Sequence, residues 1–144
     1  MTAINREAVR DGLVSVFADL VSDEVVQEVV GHRVSDPQGK TPIVAVLSDG
    51  TERIPFTFQG SRPVFHLVVQ VLVLAEDASG YTEADAEDRL DLVEKSIAEL
   101  IDANRQTALW NSISQAERGQ VYDVSIGGHA YLLESIPYAV KVHK

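Results

Sequence analysis

Cysteine is absent from the 144 residues, which removes disulfides, thiolate nucleophiles, zinc fingers and iron–sulfur sites together. The redox compartment is therefore unconstrained. Cations are scarce: 12 Lys+Arg face 22 Asp+Glu, a formal net charge of −10. That balance argues against sequence-independent binding to duplex DNA, which needs clustered cations to displace counterions. It argues equally against docking on an anionic membrane. No apolar run approaches the ~18 residues of a membrane span. The opening residues, Met1 to Arg6, lack the apolar core of a signal peptide. The expectation is a soluble, intracellular protein.

Catalytic signatures are equally thin. Gly39-Lys40-Thr41 has the ending of a phosphate-binding loop, but position 34 is Val where that loop needs Gly, and Pro42 follows where a helix should begin. His32, His66, His129 and His143 contain no pair at the i, i+4 spacing of a helical zinc site. No Gly-x-Ser-x-Gly elbow presents a serine nucleophile. His66 reads as a partly buried structural residue beside Gln70, and His129 as an exposed turn residue. Paired carboxylates among Asp85, Asp88 and Asp91 lack a histidine or loop ligand beside them. The expectation is no enzyme, no cofactor and no metal.

What is present is an ordinary globular composition, 45% apolar and 24% charged, enough for one core in a single domain over 1–144. Residues 4–22 carry Val9, Leu13, Val16, Phe17, Leu20 and Val21 at helical spacing, with Thr2 or Asn5 as cap. Gly12 costs this helix about 1 kcal/mol relative to Ala and marks a close approach. Val25–Val30 is short and untyped, and 31–42 is a loop. Residues 43–48 and 52–58 read as a hairpin around Asp49-Gly50, with Pro55 marking an edge or a bulge. Gly60 to Pro63 reads as a break.

The strongest strand is 63–75. Phe65, Leu67, Val69, Val71 and Val73 line one face; Val64, His66, Val68, Gln70, Leu72 and Leu74 line the other. Both faces call for cover, one by the core and the second by a neighbouring subunit. Residues 83–102 form a second helix with the stripe Ala86, Leu90, Val93, Ile97, Leu100, Ile101, opened by a Thr82/Asp85 capping box and stopped at Asn104. Residues 104–118, holding Trp110, Leu109 and Ile113, are ambiguous between core and docking patch. Gln120–Ile126 and His129–Val142 pair around Gly127-Gly128, and Pro137 implies a bend or an edge. The fold class is α+β: an antiparallel-dominated sheet of about five strands with two helices on one face.

Charge is concentrated. From Glu76 to Asp102 there are ten acidic and two basic residues, whereas the rest of the chain is nearly balanced. One reading is a solvated helix face that maintains solubility; the sharper one is a negative surface turned toward a polyanion that must not stick. Leu92 falls on the polar side of this helix, and Tyr81 lies in the loop before it, both suited to a protein contact.

Four stretches, in order, carry a family resemblance: Thr41–Val46 entering the first strand, Phe65–Val73, Ala84–Glu94 opening the acidic helix, and Tyr131–Val140 closing the chain. Together they resemble the tail terminator (tail completion) proteins of long-tailed bacteriophages. The resemblance covers most of the chain and implies a virion structural protein of the tail and neck, assembled in the host cytoplasm. It implies a hexameric ring that caps the tail tube protein and receives the head-completion (stopper) protein. DNA would pass through the centre without specific binding. On this reading Val68, Gln70, Leu72, Leu74, Tyr81 and Leu92 are candidates for the contact between subunits. Asp85, Asp88, Asp91 and Glu99 are candidates for the lumen. The family has no catalytic residues to carry over. A head–tail stopper or adaptor, a tail tube protein and a small carboxylate-based enzyme are the alternatives, with a binding module of unknown partner behind them.

Overall fold

The computed structural model describes residues 4–37, 40–57, 60–75 and 82–142. Helix α1 (Arg6–Ser22) starts at Asn5, whose side chain accepts the Ala8 amide. It buries Val9, Leu13, Phe17 and Leu20, and leaves Val21 exposed. Strand β1 (Glu28–Val30) is short. Strands β2 (Ile43–Thr57) and β3 (Gly60–Leu74) follow, then helix α2 (Glu83–Ala103), β4 (Ser112–Gln115), β5 (Gln120–Ile126) and β6 (His129–Lys141).

The fold is α+β, with two helices and a mixed six-stranded sheet in the order β1-β2-β3-β6-β4. β1 runs parallel to β2, and every other pairing is antiparallel. β5 adds to the same edge of β6 as β4, which takes Tyr138–Lys141 while β5 takes His129–Ser135. Pro137 lies at the gap between them, where its missing N–H costs the outer edge nothing.

Three sequence expectations are corrected. Asp49-Gly50 is not a turn. The run 43–57 is one strand, and β3 pairs with it along its length. Gly50, at φ +103°, sits where the register shifts between Ser48 and Thr51, so the Asp-Gly pair makes a bulge instead of a reversal. Gly60 to Pro63 is strand, because β3 continues to pair with β2 there. Among the described residues the strands number six, since 28–30 and 112–115 each find an edge to join.

Strand alternation sets the layers. Val44 and Val46 of β2, the odd residues Phe65 to Val73 of β3, and Leu132, Ile136, Tyr138 and Val140 of β6 share one core with both helices. Trp110 and Ile113 belong to that core, at 1% and 5% exposure. A Cβ on Gly12 would fall 2.4 Å from Leu109 Cδ1 and 3.3 Å from Trp110 Cζ3, so glycine lets α1 approach the 104–111 segment. α2 buries Ala86, Leu90, Val93, Ile97 and Ile101; each large side chain there contributes roughly 1.5–3 kcal/mol. The capping box forms as expected: Thr82 accepts the Asp85 amide and Asp85 accepts the Thr82 amide.

The opposite sheet face carries a second, smaller cluster of Ile43, Leu72, Leu74 and Tyr131, covered by Val34, Val124, Ile126 and Leu133. Loop 31–37 supplies Val34, and its Asp36 carboxylate lies against Gly127 of the β5–β6 turn.

Candidate functional site

Among the described residues the histidines are dispersed. His66 Nε2 lies 2.7 Å from Glu52 Oε1 across the β2–β3 ladder, half-buried, as a structural pair. His32 Nδ1 lies 2.9 Å from the Arg33 carbonyl. His129 is exposed and meets Tyr131 edge-on. Among the described residues no group of three or more His, Asp or Glu is placed to hold a metal ion. His143, Thr2 and the loop 76–81, with Tyr81, lie outside the described residues.

The acidic helix presents its charge outward. Asp85, Asp88, Asp91 and Glu99 are all exposed. At 100° per residue they divide around Asp88. One flank carries Asp85, Arg89 and Leu92, which with Asp88 line a shallow depression. Leu92 is 48% exposed. The other flank carries Asp91, Glu94 and Asp102 and leans toward β6.

That second flank meets a carboxylate that the charge count overlooked. Glu134 pairs with Val71 and points to the helix side of the sheet, on the same face as Leu132 and Ile136. Burial raises its pKa, and the negative charges of Glu94 and Asp91 raise it further. Tyr138, on the same face, is pushed up to about 12 by burial and then by Glu94, Glu134 and Asp102. The result is a field of one sign spread over α2 and β6. The signal was available in the alternation of β6, where a Glu occupies a core-facing position.

The second sheet face divides. Leu72 and Leu74, at 2% and 7% exposure, are covered by the chain's own Val34, Val124 and Ile126 cluster, so that end has intramolecular cover. Val68 and Gln70 are half-buried. Val68 borders an open trough with Asp49, Arg118, Tyr122 and Pro137. On β5, Val121 and Tyr122 are exposed on opposite faces.

No protein-family model matches this chain. No curated protein matches it in sequence. Among solved structures, one chain aligns over 98% of this chain and 98% of its own length, at 13% identity and a TM-score of 0.61. A second aligns over 93% and 97% at 12% identity, with a TM-score of 0.39 too low to argue from. The first comes from a structure described as the virion of a native gene transfer agent particle, and the present chain shares its fold from end to end.

Proposed function

We propose that this chain is a virion structural protein and, more specifically, the tail terminator of a phage-type neck. Six copies close a ring on the end of the tail tube. The other face of the ring receives the head-completion protein, and DNA slides through the centre. The observation that carries this reading is the end-to-end likeness to a chain of a virion particle. The order of strands and helices quoted above for the tail terminator resemblance points to the same place. The surface agrees with it: carboxylates dominate α2, and Glu134 adds to them from the sheet. A lumen of that sign repels phosphate and keeps a passing genome from binding. Asp85, Asp88, Asp91 and Glu99 are the lumen candidates, with Glu94 and Glu134 beside Asp91.

The test is light scattering coupled to size-exclusion chromatography, with negative-stain images of the same peak. The expected species is near six times 15.7 kDa and annular, with a central hole. Open stacks of rings point instead to a tube protein, which must keep growing. A monomer that forms no ring even when purified tail tubes are supplied removes the reading.

A further inference from the structure

The β2–β3 hairpin runs past the rest of the sheet. β6 pairs with β3 only from Val64 onward, and β1 pairs with β2 only at Ile43–Ala45. Beyond Val64, Arg53–Thr57 and Gly60–Pro63 pair only with each other among the described residues. A two-stranded ribbon is marginal alone in water, so this arm needs an external surface to hold its shape. Its edges are poor templates for another strand, because Pro55 and Pro63 each lack a ladder donor. The arm therefore docks through a face.

That face can be identified. Thr51 pairs with core-facing Phe65 and accepts a hydrogen bond from Arg6 of α1, so it lies on the helix side of the sheet. Two residues on, Arg53 pairs with Pro63, and then comes Pro55. Arg53, Pro55 and Pro63 continue the side that α1 and α2 cover elsewhere, and Arg53 and Pro55 are exposed. A cation flanked by two apolar rings is thus left without its helix.

The complementary surface is on α2. Its outer flank sets Leu92 among Asp85, Asp88 and Arg89, an apolar residue ringed mainly by carboxylates. The helix carries eight carboxylates against two cations. The arm cannot reach its own copy of this flank. Asp91 lies near Glu134, which is level with Val71, and nine residues of β3 separate Val71 from Arg62 beside Ile54, roughly 30 Å.

We infer that the arm of one copy lays its Arg53–Pro55–Pro63 face on the Asp85–Asp88–Leu92 flank of α2 in the next copy. The contact rests on the ring reading above and deepens it. It is heterologous, head to tail, so it closes into a ring when the rotation permits. It takes Asp85 and Asp88 out of the set of lumen candidates and leaves Asp91, on the opposite flank of the helix, for the channel.

The experiment uses two full-length variants, Arg53→Glu and Asp88→Lys, each shown to be folded by circular dichroism. Neither residue is buried, and neither belongs to the capping box. Each variant alone sets like charges across the contact and should weaken assembly by roughly tenfold or more at low salt. An equimolar mixture restores opposite charges at every contact of an alternating ring, and it should recover the wild-type ring by light scattering. If Arg53→Glu assembles like the wild type, or if the mixture of two folded variants recovers nothing, the arm contact is wrong while the ring reading stands. A wild type that makes no ring even with purified tail tubes supplied removes both.

Discussion

The indole Nε1 of Trp110 donates a 2.8 Å hydrogen bond to the backbone carbonyl of Asn104, the residue that ends α2. Thr107 adds to the arrangement by accepting the amides of Leu109 and Trp110. The only tryptophan therefore ties the helix end to the segment that leads into β4, under the Gly12 approach of α1. Trp110→Phe keeps the ring in the core but strands that carbonyl and loses volume. The expected loss is about 2–3 kcal/mol of unfolding free energy, measured by urea denaturation. An unchanged midpoint would show that the bond contributes nothing.

The two faces of β3 make a second prediction. Had Leu72 faced only a neighbouring copy, Leu72→Asp would spare the fold. It is buried under Val34, Val124 and Ile126 of its own chain. Leu72→Asp should therefore unfold the protein, and Val69→Asp should do the same, since an unpaired buried carboxylate costs several kcal/mol against a total stability of about 5–15. Leu92→Asp, on the exposed flank of α2, should retain the wild-type circular dichroism spectrum. A folded Leu72→Asp monomer would return that face to the assembly interface.

How much of this was legible in the sequence depends on how local each signal was. α2, its Thr82/Asp85 box and the Gly127-Gly128 turn could be read directly, because helix period, caps and positive-φ glycine pairs act over a few residues. Both turn glycines have the expected positive φ, 59° and 82°. Gly50 carried the same local signal and misled, because whether an Asp-Gly pair reverses a strand or bulges it depends on the partner strand. Here β3 is long enough to hold β2 straight. Cover on the second sheet face was unreadable for a similar reason: Val34 comes from a loop with no periodicity, and only the fold brings it over Leu72. Helical spacing alone placed Asp88, Asp91, Glu99 and Asp102 on the outside of α2. Glu134 required knowing which face of β6 meets the helices.

Glu134 gives a pH prediction with a definite sign. Its pKa in the fold lies above the usual value of 4.5, through burial first and then Glu94 and Asp91. Just above pH 4.5 the folded chain holds this proton more tightly than the unfolded chain does. The contribution of Glu134 to stability is thus greatest below the unfolded pKa and declines as pH rises through the folded one. Glu134→Gln removes the titration and keeps the shape. Its melting temperature should exceed that of the wild type at pH 7, with the gap closing as the pH falls toward 4. A gap that stays constant with pH would mean that the carboxyl does not titrate abnormally.

The same carboxylates yield the sharpest test of a repulsive lumen. A ring that lets DNA slide must offer phosphate no counterion to displace, and reversing the sign of its lining should convert passage into capture. In Asp91→Lys/Glu94→Lys the exposed flank of α2 gains cations, while Asp85, Asp88 and Leu92 on the other flank are untouched. The ring should still form. A fluorescent DNA duplex should then bind it measurably at low salt, where the wild type binds none. Raising the salt should release the duplex, with a log–log slope of about −0.9 for each phosphate engaged. In the proposed hexamer six copies multiply the change, so even one phosphate contact per subunit gives a steep dependence. If the reversed ring forms and binds DNA no better than the wild type, that flank does not face the channel, and its own negative charge serves solubility.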